Sequence, residues 1–309
     1  MGISFGFKFE TELILLIQRY MTRLLTGIAG VITSLGEQYV IIGILGLIYW
    51  CLNKDLGKKI IIHLSVISVI NPVFKTAVKR LRPYMADESI KCLKAVEDGD
   101  IYDVTSQGYS FPSGHASNSI GLYGSLAKHF KSKALKCVFY GLCVLIGVSR
   151  FALGVHYPTD VLAGWLLGCL AIALFDVIAR RSGRNRALML FCVPGTAGFA
   201  FIKTNDYFTG YGMLLGATGA ILFEEKYVRF EGTKSPLRCV LRVLVGAGLF
   251  LGLNTLFKLP FGDDILSGTT VIAFAVRTLR YAIMMFLLLG VYPLLFKLGD
   301  KFSKTDNRH

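Results

Sequence analysis

Apolar stretches long enough to cross a lipid bilayer recur along this 309-residue chain, and short polar connections separate them. A membrane-spanning helix needs about 20 predominantly apolar residues, and it satisfies its backbone hydrogen bonds internally. The hydrophobic fraction is 53% and the mean hydropathy is +0.56, which is more apolar surface than one soluble core of this length uses. The pattern predicts an all-α, polytopic membrane helical bundle.

The apolar segments predict ten helices. The first is interrupted by Glu12, Arg19 and Arg23, so it fits either a spanning helix or an amphipathic helix in the membrane interface. The predicted ranges are 12–33, 38–52, 59–78, 115–130, 134–152, 158–180, 187–203, 209–223, 238–257 and 270–296.

Lysine and arginine are concentrated in alternate loops, and this bias predicts the orientation of the chain. Loops rich in these residues stay in the cytoplasm. The basic loops lie near residues 54–59, 128–136, 180–186 and 226–238. Both termini are then inside, and segments 79–114, 151–158 and 258–268 are outside. We expect a multi-pass plasma-membrane protein whose unusual polar residues lie on the extracytoplasmic face.

The net charge of +14 comes from 34 basic and 20 acidic residues. A nucleic-acid-binding protein presents such charge on a contiguous soluble face, whereas here it is scattered over loops. The seven cysteines lie far apart without metal-ligand spacing, and the acidic residues of the segment 87–103 do not have the spacing of a calcium loop. We therefore expect the bilayer as a partner, and neither a nucleic acid, a metal nor another cofactor.

The first block of unusual polar residues runs from Lys75 to Pro83 at the outer end of the third predicted helix. The seven-residue step from Lys75 to Arg82 is close to two helical turns, which predicts both cations on one face. Such a pair can bracket an anion, and the planar guanidinium of Arg82 suits phosphate oxygens. The alternative is a basic collar beside the membrane, to which Lys79 and Arg80 would belong.

The second block is Pro112-Ser113-Gly114-His115, directly before a predicted helix. Serine and glycine at a helix start expose backbone N–H groups, which attract an anion together with the helix dipole. His115 is placed to donate a proton to a group bound there. The alternative is that Ser113 is only a helix cap.

The third block runs from Ser149 through Arg150 and His156 to Asp160. Asp160 follows His156 by four residues, so its carboxylate reaches one ring nitrogen if the turn is nearly helical. The other nitrogen is then free to attack an electrophile. Arg150 adds a third cation. A buried histidine with a satisfying aspartate is also a common structural pair, and this alternative stays open for the block alone.

In chain order the blocks match Lys-x6-Arg-Pro, Pro-Ser-Gly-His and Ser-Arg-x5-His-x3-Asp, separated by 28 residues (84–111) and 33 residues (116–148). The chain therefore resembles the type 2 phosphatidic acid phosphatase superfamily over about residues 38–180. One block alone is a weak signal, whereas three in this order are specific.

The resemblance implies that His156 attacks phosphorus in line, that Asp160 orients it, and that His115 protonates the leaving oxygen. The phosphate oxygens would be held by Lys75, Arg82, Ser113, Gly114 and Arg150. The implied enzyme is a metal-independent phosphatase that hydrolyses a membrane lipid phosphate or diphosphate through a phosphohistidine intermediate.

The family unit commonly has six helices, so residues 1–180 are predicted to form the catalytic transmembrane core. Residues 181–309 hold none of the blocks, and they are predicted to form about four further transmembrane helices and a cytoplasmic tail. The loop 84–111 is the candidate lid or substrate-selecting element, because long irregular loops are often functional.

Three other functions stay open on the sequence. A phosphatase of a soluble phosphomonoester, similar to glucose-6-phosphatase, would use the same blocks. A vanadate-dependent haloperoxidase has a related site but is soluble, which the hydropathy of this chain opposes. A transporter would need neither both histidines nor Asp160, and the two related halves typical of many transporters are not found.

Overall fold

The structure of the protein is a computed structural model that describes Gly2 and residues 6–94 and 100–296, without the side chains of residues 105 and 106. Throughout these residues the regular structure is helical and no β-strand is present, which confirms the all-α prediction. The predicted cytoplasmic tail after Phe296, and Glu97 and Asp98 of the acidic loop, lie outside the described residues.

The described residues form α-helices, and four π-helical turns each continue the helix before them. The α-helices are α1 (Lys8–Tyr20), α2 (Arg23–Ser34), α3 (Gln38–Leu47), α4 (Lys54–Val78), α5 (Pro83–Ala86), α6 (Val104–Gln107), α7 (Gly114–Ser119), α8 (Ser125–His129), α9 (Lys133–Ala152), α10 (Pro158–Ser182), α11 (Arg184–Gly195), α12 (Gly198–Phe201), α13 (Asn205–Phe223), α14 (Pro236–Leu256), α15 (Asp263–Leu266) and α16 (Val271–Phe286). The π-helical turns are Ile48–Leu52, Ile120–Gly124, Glu224–Val228 and Leu287–Val291.

The prediction of one helix over residues 12–33 is wrong, because α1 ends at Tyr20 and α2 begins at Arg23. The Thr22 hydroxyl accepts a hydrogen bond from the backbone N–H of Leu25 at 3.3 Å and caps the start of α2. This cap satisfies an N–H group that a continuous helix would bond to a preceding carbonyl. The local hydrogen bonding therefore favours two shorter helices.

Helix α1 is amphipathic. It buries Glu10 and Ile14 on one side, and it exposes the apolar side chains of Phe9, Leu13 and Leu16 on another. An exposed apolar stripe on a short helix that also carries charged residues is typical of a helix lying in the membrane interface. The structure thus fits the interfacial alternative for the N-terminal segment.

Five helical segments of the described residues are long and apolar enough to cross a bilayer, and α2 and α3 form a further pair bent by 51°. The five are Lys54–Val78, Lys133–Ala152, Pro158–Ser182, Pro236–Leu256 and Val271–Phe296. The number is lower than ten because several predicted segments are divided into shorter helices. The range 187–203, for example, contains α11 and α12.

The chain divides into two compact units. The first contains Met1–Ile41 and Ile70–Val177, and the second contains Ile42–Val69 and Ile178–His309. The boundary at Val177 lies near the predicted division at residue 180. Residues 42–69 group with the C-terminal part in this division, and the predicted domains 1–180 and 181–309 stay a prediction. The catalytic role of residues 1–180 stays a prediction.

The core of the first unit contains aromatic and aliphatic side chains from α1, α5 and the turn after α9. Its buried members include Ile14, Tyr84, Leu153 and Tyr157. Close packing also depends on Gly164 of α10, because a Cβ atom there would lie 2.5 Å from the carbonyl oxygen of Ser113. This approach places the start of α7 directly against α10.

In the second unit, α13 packs along α16. The rings of Phe208 and Phe274 stack across this contact with their centroids 4.1 Å apart. A buried carboxylate, that of Glu224, is paired with the ammonium groups of Lys54 at 3.0 Å and Lys58 at 2.5 Å. A buried charge is costly unless it is paired, so these contacts compensate the burial of Glu224.

Candidate active site

The first block does not continue as a helix to its proline. Helix α4 ends at Val78, Lys79 has the left-handed backbone conformation (φ +53°), and Arg82 is extended before Pro83 starts α5. The prediction that Lys75 and Arg82 share a helical face is therefore wrong. The residue before a proline is biased towards extended geometry, and in this chain the helix ends earlier still.

Lys75 and Arg82 nevertheless meet at one place, the backbone at Gly108. The Arg82 Nε atom donates hydrogen bonds to the carbonyl oxygens of Gln107 and Gly108, both at 3.1 Å. The Lys75 Nζ atom lies 3.9 Å from the position that a Cβ atom on Gly108 would take. Arg82 Nη1 also donates to the carbonyl of Val155 at 3.2 Å. These contacts connect the first block to the third through tertiary structure.

The second block starts α7 as predicted. The Ser113 hydroxyl accepts a hydrogen bond from the backbone N–H of Ala116 at 3.4 Å, and Gly114 is the first residue of the helix. The backbone N–H of Ser113 donates to the carbonyl oxygen of Asp160 at 2.9 Å. The second and third blocks are thus joined directly by a backbone hydrogen bond.

His115 presents a ring nitrogen that has no protein partner in the described part of the chain. Its Nε2 atom is buried and makes no hydrogen bond there. Burial, and then the charge of Arg150, hold the pKa of His115 well below its usual value. A buried polar atom without a partner is rare, and at a functional site it suggests a place for a ligand.

The third block brings His156 against Asp160, as the four-residue spacing predicts. The His156 Nδ1 atom lies 3.5 Å from Asp160 Oδ2 and 3.3 Å from the hydroxyl oxygen of Ser110. Asp160 Oδ2 also accepts hydrogen bonds from the Ser110 hydroxyl and, at 2.7 Å, from the backbone N–H of Tyr157. This carboxylate is therefore held by several donors.

Cations surround His156. Burial, and then the charges of Arg82, Arg150 and Lys75, hold the pKa of His156 well below its usual value. The imidazole is consequently neutral near pH 7, and its unprotonated nitrogen carries a lone pair. A neutral histidine among three cations is suited to a reaction with an anionic substrate.

Arg150 is buried on α9. Its Nη1 atom donates to the hydroxyl of Thr33 at 2.8 Å, and its Nε atom has no hydrogen-bond partner among the described residues. Arginine presents several N–H donors in a fixed plane, so the remaining donors suit a planar or tetrahedral oxyanion.

Known proteins are similar to this chain over the region that holds the three blocks. The family model described as "PAP2 superfamily" matches residues 59–184, which hold all three blocks. The chain is 33% identical over 172 residues to phosphatidylglycerophosphatase B of Bacillus subtilis, and the match covers 52% of this chain and 76% of that protein. The chain belongs to the PAP2 superfamily.

Residues 208–301 match a second model, "PAP2 superfamily phosphatase, transmembrane extension". The chain is thus an integral membrane phosphatase of the PAP2 superfamily, and its C-terminal helices form an extension as predicted. A further relative is undecaprenyl-diphosphatase of Sulfolobus acidocaldarius, 29% identical over 162 residues that cover 52% of this chain and 73% of that protein. The crystal structure of Aquifex aeolicus LpxE is 26% identical, with a TM-score of 0.48, and the match covers 56% of this chain and 98% of that chain.

Three further residues of the candidate site were not predicted as site residues from the sequence: Ser110, Arg80 and Glu10. Ser110 lies just before the second block and contacts both His156 and Asp160. Arg80 lies between the two cations of the first block, and its guanidinium contacts Asp160 Oδ1 at 2.7 Å. The interpretation of Arg80 as part of a basic collar is wrong, because the side chain is only 1% exposed. A signal for Arg80 was its position inside the first block, whereas nothing in the sequence indicated Glu10.

Proposed function

We propose that this phosphatase hydrolyses a lipid phosphate or lipid diphosphate through a phosphohistidine intermediate on His156, without a metal ion. The observation that carries the proposal is the convergence of three blocks that are separate in sequence. Arg82 bonds to the carbonyl of Val155 at 3.2 Å, and Ser113 bonds to the carbonyl of Asp160 at 2.9 Å. Both contacts bring phosphate-binding groups to the turn that carries His156.

His156 acts as the nucleophile through Nε2, because Nδ1 faces Asp160 and Ser110. A carboxylate beside one ring nitrogen fixes the tautomer in which that nitrogen carries the proton. The Nε2 lone pair then forms a bond to phosphorus while the bond from phosphorus to the leaving oxygen breaks. Asp160 supports the positive charge that develops on the ring.

His115 supplies the proton that the leaving oxygen takes. Burial and the charge of Arg150 hold the pKa of His115 low, but the negative charge of a bound phosphate favours the protonated ring. Proton uptake therefore accompanies substrate binding. In the second half of the reaction, water attacks phosphorus, the N–P bond breaks, and His115 accepts the proton of the water.

The phosphate oxygens are held by groups from all three blocks. They are Lys75, Arg82, Ser113, Gly114 and Arg150. Phosphoryl transfer depends mainly on positioning and on stabilising the charge of the equatorial oxygens. The three cations of this set supply that charge, so the proposed reaction uses no metal and no other cofactor.

A lipid is the proposed substrate, because the relatives are named for phosphates on membrane lipids. The names are phosphatidylglycerophosphatase B, undecaprenyl-diphosphatase and, for a protein of Bacteroides thetaiotaomicron that is 32% identical over 111 residues, lipid A 4'-phosphatase. The match to the third covers 36% of this chain and 48% of that protein. Apolar parts of such substrates supply binding energy that positions the phosphate.

A substrate panel tests this function. Purified full-length protein is offered polyprenyl diphosphate, phosphatidic acid, phosphatidylglycerophosphate, a sphingoid phosphate and glucose 6-phosphate, always with excess EDTA. We expect phosphate release from a lipid substrate with the highest kcat/KM, and a rate unchanged by EDTA. Vanadate is expected to inhibit competitively.

Two results would contradict the proposal in different ways. If glucose 6-phosphate ranks first, the lipid substrate class is wrong while the histidine chemistry survives. If activity appears only when Mg²⁺ is titrated back, the metal-independent mechanism is wrong.

For the whole chain, we propose that residues 1–180 form the catalytic core and residues 181–309 an added membrane bundle with a cytoplasmic tail. We further propose a plasma-membrane location with the active site on the extracytoplasmic face. The support is the bias of lysine and arginine towards alternate loops, one of which connects α8 to α9. Because Arg80 pairs with both Glu10 and Asp160, α1 then lies on that face too, in contrast to the inside location that the loop charges predict for the N-terminus.

This orientation predicts the accessibility of two exposed positions, Glu88 and Lys131. In a protein whose native cysteines are replaced by serine, Glu88→Cys should react with an impermeant maleimide in intact cells. Lys131→Cys should react only after permeabilisation, and both variants should retain phosphatase activity as a control. The reverse labelling pattern would place the active site in the cytoplasm.

A further inference from the structure

We propose that Arg80 and Glu10 are positioning residues of the active site. Arg80 holds Asp160 in the orientation that supports His156, and Glu10 of the N-terminal helix holds Arg80. The inference rests on the proposed function, because it assumes that Asp160 supports the nucleophile. Glu10 lies outside residues 59–184 that the PAP2 model matches, so it is a contribution of this chain beyond the matched family region.

Arg80 is fixed by contacts on its edge and on its face. Nη1 donates to Asp160 Oδ1 and to the hydroxyl of Thr159, both at 2.7 Å, and Nη2 donates to Glu10 Oε2 at 2.6 Å. The guanidinium carbon also lies 3.8 Å from the centroid of the Tyr157 ring. Stacking and several charge-assisted hydrogen bonds together leave the guanidinium little freedom to rotate.

The two oxygens of Asp160 have separate partners. Oδ1 contacts Arg80, whereas Oδ2 contacts Ser110, the backbone N–H of Tyr157 and the His156 ring. Arg80 therefore determines which way the plane of the carboxylate faces. Without it, Oδ1 would lose its cation inside the protein, and the carboxylate could turn away from His156.

Glu10 completes the arrangement from the other side of the guanidinium. Its Oε1 atom accepts hydrogen bonds from the backbone N–H of Thr159 at 2.9 Å and from the Thr159 hydroxyl at 2.6 Å. Both Glu10 and Asp160 are fully buried, and Arg80 is the cation between them. A buried carboxylate is tolerated only when it is paired and hydrogen-bonded, so Glu10 and Asp160 both depend on Arg80.

The combined charge of Glu10, Arg80 and Asp160 suits the positive charge that develops on His156. Two carboxylates and one guanidinium leave one net negative charge next to His156. When His156 receives the phosphoryl group its ring becomes positive, and the surplus negative charge stabilises that state. Replacing Glu10 with glutamine removes the surplus, and replacing Arg80 with glutamine leaves two unpaired carboxylates.

Contacts along one face of α1 position Glu10 for this role. Glu10, Ile14 and Gln18 are spaced by four residues, so they lie on the same side of the helix. Ile14 is fully buried in the core of the first unit, and Gln18 exchanges two hydrogen bonds with the backbone of Lys91 at 2.8 and 3.1 Å. These two anchors follow Glu10 on the same face of α1 and help to keep its carboxylate at Arg80.

The test compares variants in two backgrounds. Glu10→Gln, Arg80→Gln and Arg80→Lys are made in the full-length wild-type protein and in Asp160→Asn, and assayed on the panel substrate that wild type turns over fastest. We expect Arg80→Gln to lower kcat by about 10- to 100-fold, by analogy with the loss when a hydrogen-bond partner that orients a metal ligand is removed. We expect a smaller loss for Glu10→Gln and a partial recovery for Arg80→Lys. KM should stay within about threefold, because phosphate binding is not altered.

The Asp160→Asn background separates positioning from a structural role. If Arg80 and Glu10 act through Asp160, replacing either of them in the Asp160→Asn variant should lower its kcat by less than about threefold. The reason is that the effects of coupled residues are not additive. Glu224→Gln is the matched control, since it also removes a fully buried, paired carboxylate. It should lower Tm and leave kcat unchanged.

The proposal would be overturned if the fold-losses in kcat multiplied in full in the Asp160→Asn background. It would also be overturned if the variants raised KM and left kcat unchanged. If Asp160→Asn lowers kcat but Arg80→Gln does not, the positioning role is wrong and the proposed function survives. If Asp160→Asn itself leaves kcat unchanged, the proposed mechanism fails at His156 and Asp160.

Discussion

Replacing His156 with alanine is expected to lower kcat by about 10⁴-fold or more, because it removes the group that forms the covalent bond to phosphorus. The contacts of the His156 ring support this role. Its Nδ1 atom is committed to Asp160 and Ser110, and Arg82 bonds to the backbone beside it. The remaining cations would still bind phosphate, so vanadate affinity is expected to fall much less than turnover.

The measurement combines steady-state rates with detection of the intermediate. Protein is mixed with a ³²P-labelled substrate and quenched in alkali, where phosphohistidine is stable, and label on the chain is counted. Wild type should carry label and His156→Ala should not. The matched control is His129→Ala, because His129 is exposed at the end of α8 and lies outside the site. Label on the His156→Ala chain would show that another residue is the nucleophile.

Replacing His115 with alanine is expected to lower kcat on lipid phosphates by about 10²- to 10⁴-fold, the usual contribution of a general acid. The loss should depend on the leaving group. A lipid alkoxide needs a proton as it departs, whereas p-nitrophenolate leaves without one. With p-nitrophenyl phosphate, therefore, the rate of the first step, phosphoryl transfer to His156, should change little.

The second step distinguishes this role further. Hydrolysis of the phosphohistidine requires a base to take the proton of water, and His115→Ala lacks that base. The variant should release a burst of p-nitrophenol, up to one per protein molecule, and then accumulate labelled protein. If His115→Ala lowered kcat equally on the lipid and aryl substrates and gave no burst of p-nitrophenol, the assignment of His115 as the acid and base would be contradicted. Unchanged Tm should accompany either result, since His115 Nε2 makes no hydrogen bond in the described residues.

The class of the protein follows from local properties of the sequence. Apolar segments of spanning length predict membrane helices because lipid leaves backbone groups no partner outside the segment. The pairing of His156 with Asp160 follows from a four-residue step, and the cap at Ser113 follows from a serine before a helix. Each of these features depends on residues within a few positions of one another.

Element boundaries were less predictable, as the first block illustrates. The sequence places Lys75 and Arg82 on one helical face, but α4 ends at Val78. Both cations lie near Gly108 instead. Arg82 donates a hydrogen bond to the backbone carbonyl of Gly108, and Lys75 Nζ lies close to the same residue. A hydrophobic pattern does not determine where a polar helix end stops, because competing hydrogen bonds come from other parts of the chain.

The sequence by itself determined the membrane class, the all-α fold and the three blocks of candidate site residues. Only the tertiary structure decided which buried charges support them. Glu10 and Arg80 are 70 residues apart, and Arg80 and Asp160 are 80 apart. A carboxylate that leaves water must be paired with a cation, but its position in sequence does not specify which one. That choice is made by packing, when α1 brings Glu10 against the guanidinium that holds Asp160.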